Sequence, residues 1–365
     1  MAEPKTRPRS LPRSVWALGL VSLFMDLSSE MIHALLPAFL VGTLGVSAFA
    51  LGWIEGVAEA TASISKIFSG VISDRMGRRK PLILLGYGLA ALTKPLFPLA
   101  QHAATAIAAR WIDRIGKGIR GAPRDALVAD ITAPEQRGAA YGLRQSMDTA
   151  GAFLGPLLAT GLMVLAAFDI RAIFWVAVLP AFAAVLVLAL FVREPERSRP
   201  AATPRAPLFT GWREFPKPFW RLFALMLLFT LMRFSEAFLV LRAQDAGLTR
   251  NWIPLTLVVM SATYLLVAYP AGKLSDRMSR HALLALGCVV MLVADYAPPS
   301  LRGSAFGVIN LARGVMALLA SALAGALWTW ASPTATFVTG AGLAVLTAAM
   351  ALSMRSKAPT AQAPG

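Results

Sequence analysis

Apolar runs of about 20 residues recur along most of this chain, and nothing constrains its fold more strongly. A helix rises 1.5 Å per residue, so each run matches the ~30 Å hydrocarbon core of a bilayer. The runs predict membrane spans at 15–42, 48–72, 81–101, 104–128, 139–166, 171–192, 219–241, 251–273, 303–330 and 334–354. In lipid every backbone amide and carbonyl needs an internal partner, which leaves only helices and closed barrels. The alternating ten-residue pattern of barrel strands is absent. The chain therefore reads as an all-α membrane protein. Its charged fraction of 15% agrees, since soluble domains carry roughly 25%.

The net charge is +16. In a soluble protein that would point to nucleic acid. Here the basic residues fill alternate gaps between apolar runs. One set of gaps holds Lys5 to Arg13, Arg75 to Lys80, Arg124 and Arg137, 193–217, Arg277 and Arg280, Arg302, and Arg355 with Lys357. The other set is nearly bare, apart from Asp169, Arg171, Arg242, Asp245 and Arg250. Basic loops stay on the cytoplasmic side. A multi-pass protein of the cytoplasmic membrane is expected, with both termini inside and no nucleic-acid partner. The start of the chain reads as a basic polar tail rather than a cleavable signal peptide. The single cysteine, Cys288, excludes an intrachain disulfide.

Five regions follow: a basic tail (1–13), a six-helix bundle (14–192), a Pro- and Arg-rich cytoplasmic linker (193–217), a shorter bundle (218–354) and a tail (355–365). Internal repetition supports the two bundles. Gly70-x-x-x-Asp74-Arg75-Met76-Gly77-Arg78 recurs as Gly272-x-x-x-Asp276-Arg277-Met278-Ser279-Arg280, at an offset of 202. VADITAPEQRGAAYG at 128–142 recurs as VADYAPPSLRGSAFG at 293–307, at an offset of 165. The second half thus lacks 37 residues between its two signatures. The interval holds two spans in the first half but only 12 residues, 281–292, in the second. Twelve helical residues cover roughly 18 Å, too short to cross the bilayer. Loss of a hairpin keeps both signatures on the cytoplasmic side, so the expected count is six spans plus four.

These residues resemble the major facilitator superfamily, whose transporters are built from repeated halves. Gly70 to Lys80 resembles its loop signature between helices 2 and 3. Asp113-Arg114-x-x-x-Gly118 resembles the helix 4 signature. Gly151-x-x-x-Gly155-Pro156 resembles the helix 5 signature of antiporters, although Ala159-Thr160 stands where a Gly-Gly pair is usual. The resemblance implies a two-bundle fold with ten spans instead of twelve. It also implies a conformational latch formed by Gly70, Asp74, Arg75, Gly77 and Arg78, with Asp276 and Arg277 as the second copy, and helix packing through Gly118, Gly151, Gly155 and Pro156. From its position, Asp74 is expected to face a neighbouring helix N-terminus.

An ionisable side chain at mid-bilayer is expensive and marks a pathway. Asp26, Glu30 and His33 share one face of helix 1; Glu55, Glu59 and Lys66 share one face of helix 2. Arg110, Asp113, Arg114 and Lys117 line one face of helix 4. Arg144 and Asp148, Arg233 and Glu236, and Asn310 and Arg313 form pairs at helical spacing, while Lys94 stands alone on its helix. Burial holds a proton on a carboxylate and a nearby cation removes it. Acids on helices 1 and 2 facing bases on helix 4 are thus candidates for proton exchange, Asp26 and Glu30 foremost. A set of static ion pairs is the structural alternative. His102 falls in an outer turn and His281 at the inner surface, and both read as solvated. No metal-ligand spacing, nucleotide loop or nucleophile–base motif occurs, so neither enzyme activity nor a cofactor nor a metal is expected. The expected function is secondary active export of a small molecule in exchange for protons, by a monomer in the bilayer. Proton-coupled uptake is one alternative; a transport-incompetent remnant or membrane scaffold, because the helix 9/10 region is missing, is the other.

Overall fold

A computed structural model describes residues 11–194, 217–263, 266 and 302–353. The second copies of both signatures and the interval 281–292 lie largely or wholly outside these residues, as do Asp276, Arg277 and His281. Among the described residues all regular structure is helical. The first half comprises α1 (Arg13–His33), α2 (Leu36–Gly42), α3 (Ala48–Met76), α4 (Lys80–Thr93), α5 (Leu96–Leu99), α6 (Ala103–Asp130), α7 (Arg137–Leu165) and α8 (Ile170–Phe191). The second comprises α9 (Lys217–Leu231), α10 (Ala237–Asp245), a helical stretch at 255–263, α11 (Arg302–Trp330) and α12 (Pro333–Ser353).

Several of these form single spans with a break. Proline has no amide to donate and crowds the preceding turn. Pro37 separates α1 from α2, and Pro95 separates α4 from α5. The break at 232–236 between α9 and α10 contains no proline. Among the described residues, six helices or broken helices are long and apolar enough to cross a membrane. With 29 and 28 residues, α3 and α6 are also long enough, but their charges lower their hydropathy.

Two apolar layers enclose a charged one in the first half. At the end bearing the basic loops, Val15, Leu18, Met25, Ile83, Tyr87, Leu127 and Leu188 are buried together. At the opposite end Met31, Leu35, Phe39, Phe97, Phe174 and Met163 do the same, joined by Phe238 and Ala324 of the second half. Phe174 holds Phe39 edge-on at 5.4 Å between centroids. Asp26 and Glu30 of α1, Lys94 just after α4, Asp113, Arg114 and Lys117 of α6, and Arg144 and Asp148 of α7 fall between these layers.

The halves meet most extensively along α3 and α11. A Cβ on Gly52 would lie 2.4 Å from the Ser321 carbonyl, and one on Gly325 would lie 2.9 Å from that of Ala48. The contact continues at the end away from the basic loops. There Phe49 packs on Trp330 with centroids 5.1 Å apart, α2 packs on α10, and Arg250 reaches the Thr43 hydroxyl at 2.7 Å.

Candidate functional site

A cavity of about 520 Å³ lies between the halves. The first half lines it with Glu30, His33, Glu55, Glu59, Arg110, Arg114 and Lys117. The second half contributes the α9–α10 break, including Arg233 and Glu236, and Arg313 of α11. Of the acids and bases that the sequence assigns to the pathway, Glu30, Glu55, Glu59, Arg114, Arg233, Glu236 and Arg313 stand on the cavity wall. Asp113 and Asp26 lie just behind it. Arg144 and Asp148 sit apart, nearer the basic-loop end.

The side chains form a connected charge network. Arg110 binds Glu55 through two parallel bonds, Nε to Oε1 at 3.1 Å and Nη2 to Oε2 at 2.6 Å, with both residues buried. Such forked pairing satisfies the carboxylate and fixes its orientation. The Ser235 hydroxyl donates to the same Glu55 Oε2 at 3.4 Å, across the divide between halves. One turn along α6, Arg114 places Nη1 3.1 Å from Glu59 Oε1 and Nη2 2.6 Å from His33 Nε2. An arginine only donates, so Nε2 must accept and the ring proton resides on Nδ1. His33 Nδ1 lies 3.4 Å from Glu30 Oε1. Glu30, His33, Arg114 and Glu59 are therefore linked in a chain along the cavity wall.

Behind the wall, Lys94 is paired. Its Nζ lies 3.0 Å from Asp113 Oδ1 and 3.0 Å from Ser29 Oγ. It stands alone on its helix but not in space, because its partner comes from α6. Nearer the basic-loop end Arg144 pairs with Asp148 at 2.7 Å. Asp125 lies 3.9 Å from Arg144 and 3.7 Å from Lys66, an acid that helical spacing does not single out. Arg120 sits over the Tyr87 ring at 4.5 Å.

Gly151 and Gly155 face the two foremost acids. A Cβ on Gly151 would come within 2.6 Å of the Leu23 carbonyl and 3.0 Å of Asp26 Cβ. One on Gly155 would come within 2.8 Å of the Leu27 carbonyl and 2.9 Å of Glu30 Cβ. The helix 5 signature thus lets α7 lie against α1 at the acids themselves, with Pro156 buried beside Gly155. Gly118 serves α6 and α3 likewise: its Cβ would meet the Ala62 carbonyl at 2.6 Å.

At the loop signature, Gly77 ends α3 with φ +66°, a left-handed conformation suited to glycine. Arg79, not Arg75 or Arg78, takes the buried position. It pairs with Asp130 at 2.6 Å, with Asp74 at 3.2 Å and with the Ser73 hydroxyl at 3.0 Å, while Arg75 and Arg78 are exposed. The amides of Arg79 and Lys80, at the start of α4, donate to Glu194 beyond the end of α8. The sequence leads one to expect Asp74 to face a neighbouring helix N-terminus; the amides that open α4 are met instead by Glu194. Gly70 packs against Ala122, whose Cβ would lie 3.3 Å from an added Cβ.

A family model described as Major Facilitator Superfamily matches residues 18–294. The chain belongs to the major facilitator superfamily. An uncharacterized MFS-type transporter of Methanocaldococcus jannaschii is 28% identical, covering 94% of the chain and 95% of the relative. That alignment spans 386 positions, more than the chain's 365 residues, so it must open gaps in this chain. The multidrug resistance protein MdtH of Proteus mirabilis is 30% identical over 171 residues, covering 47% of this chain and 41% of MdtH. Among solved structures, a POT family transporter in complex with 5-aminolevulinic acid superimposes with a TM-score of 0.75 at 14% identity, over 94% of this chain and 96% of that one. This superfamily member is a multi-pass membrane transporter, and its family is not one of enzymes.

Proposed function

We propose that the protein exports a small organic solute in exchange for protons, by alternating access around the cavity between its halves. One observation carries the reading: charged groups from both halves converge on a cavity of about 520 Å³, a volume suited to a drug-sized solute. The contacts at the end away from the basic loops make a closed gate there. With basic loops inside, this arrangement has its gate shut towards the exterior. Rocking one half against the other would open that gate and close the opposite end. The loop signature, centred on Arg79, Asp130, Asp74 and Glu194, would then act as a latch at the cytoplasmic end.

Two features favour export with proton exchange. The helix 5 signature packs directly behind Asp26 and Glu30, and the partial relative MdtH bears the name of a multidrug resistance protein. Glu30 borders the cavity and connects through His33 to Arg114, so a proton there competes with the ion-pair network. A second reading, proton-coupled uptake, draws on Lys117, Arg233 and Arg313. An anion bound by them would favour a proton on a nearby acid, and the two would travel together.

The test uses purified protein in liposomes with an imposed pH gradient. Glu30→Gln and Asp26→Asn should leave solute exchange in place but make it indifferent to the gradient. Coupling unchanged in both variants would remove these acids from the mechanism.

A further inference from the structure

The cavity's charges are unevenly matched. Of its carboxylates, Glu55 and Glu59 are held by Arg110 and Arg114. Glu30 lies beside His33, which carries no charge while it accepts from Arg114, and Glu236 makes no ion pair among the described residues, so two acids are left without a cationic partner. Against these two stand three cations, Lys117 on α6, Arg233 in the α9–α10 break and Arg313 on α11. Their side chains make no ion pair or hydrogen bond among the described residues, and all three are exposed to the cavity. The start of α10 faces the same space, since Phe234 to Ala237 line it. The N-terminal end of a helix adds positive potential there, as in other transporters whose broken helices meet a substrate at mid-membrane.

We propose that Lys117, Arg233 and Arg313 together bind an anionic group of the transported solute, a carboxylate, sulfonate or phosphate on an organic body. Phe229, Phe234, Leu257 and Met260 supply an apolar surface for that body. Charge-assisted bonds from two arginines give such a group directional partners. The three cations come from both halves, so the anion bridges them. A ligand shifts a conformational equilibrium only through different contacts in the two states. A bridging anion has that property, because opening the halves would separate its partners. The role of this anion as cargo rests on the transport reading above, in either direction.

The probe is 6-carboxyfluorescein, followed by fluorescence anisotropy with the full chain in detergent and with empty micelles subtracted. Saturable binding is expected, weakening as salt is raised. Arg233→Gln, Arg313→Gln and Lys117→Gln should each weaken it about tenfold or more, the effect of losing one charged hydrogen bond. Arg313→Lys, which keeps the charge, should retain most of the affinity. No saturable binding by the native chain, or affinity undiminished in all three Gln variants, would overturn the proposal. Should the Gln variants fail to fold, salt-insensitive binding by the native chain would overturn it equally. Flux of the cationic dye rhodamine 6G in liposomes, with no binding of 6-carboxyfluorescein, would sink the anion site and leave transport standing. Binding without flux of either dye would do the reverse.

Discussion

Arg110 holds Glu55 with two bonds in a buried setting, so neither can be removed alone without stranding the other. Breaking a buried pair from one side costs about 3–5 kcal/mol, whereas replacing both partners by apolar residues of similar size can be neutral. Arg110→Ala should therefore lower the melting temperature in detergent sharply. The double variant Glu55→Leu with Arg110→Met should recover most of that loss. A single variant no worse than the double one would show that the pair is not a structural weld. Helical spacing is enough to put these residues on inward faces, because an ionisable group in a span must avoid lipid. It cannot assign partners, since those lie on different helices. Lys94 reads as solitary for that reason, and Asp113 supplies its missing partner. His33 acquires a role only when α6 brings Arg114 to its Nε2. Asp125 and Glu194 are inconspicuous in the sequence because they sit in or beside basic stretches, where a carboxylate reads as solvated surface.

Between elements, the closest fit is α7 on α1. The acids on α1 keep their position because Gly151 and Gly155 let the α7 backbone approach. Gly155→Val should force the helices apart, since its Cβ would lie 2.8 Å from the Leu27 carbonyl. Overpacking of this kind costs about 1–3 kcal/mol. The variant should melt earlier and transport at least several-fold more slowly, because Glu30 moves with the contact. Unchanged melting and flux would mean that α7 does not set the position of the acids. The breaks at Pro37 and Pro95 follow from proline's missing amide and are implicit in the residues. The break at 232–236 has no such marker, so 219–241 reads as one continuous span. Yet that break brings Arg233 and Glu236 to the cavity, and Ser235 to Glu55. The loop signature is legible through Gly77 but misleading in detail: the buried cation is Arg79, which follows the turn at Gly77 and meets Asp130, while Arg75, on the last turn of α3, and Arg78 are exposed.

For the molecule as a whole, the family can be read from the motifs, and the 18–294 match agrees; the repeated halves rest on the recurring motifs alone. The 37-residue deficit in the second half remains a sequence finding. The alignment of 386 positions with the M. jannaschii relative shows that this chain lacks residues which that relative has. Among the described residues, the cavity's second-half wall comes from the end of α9, the α9–α10 break, Leu257 and Met260, and α11. What motifs cannot show is the closure at one end, which depends on how α3 meets α11. The central claim is that solute and proton cross through this cavity as the halves rock. It is tested most directly in liposomes by adding solute and recording discharge of an imposed pH gradient. The chain should discharge the gradient when solute is added. With Cys288→Ser as background, Phe49→Cys and Trp330→Cys joined by a short thiol cross-linker should abolish that discharge by locking the gate. Discharge that continues at full rate in the cross-linked protein would contradict alternating access. No discharge across a broad panel of organic solutes would contradict transport itself.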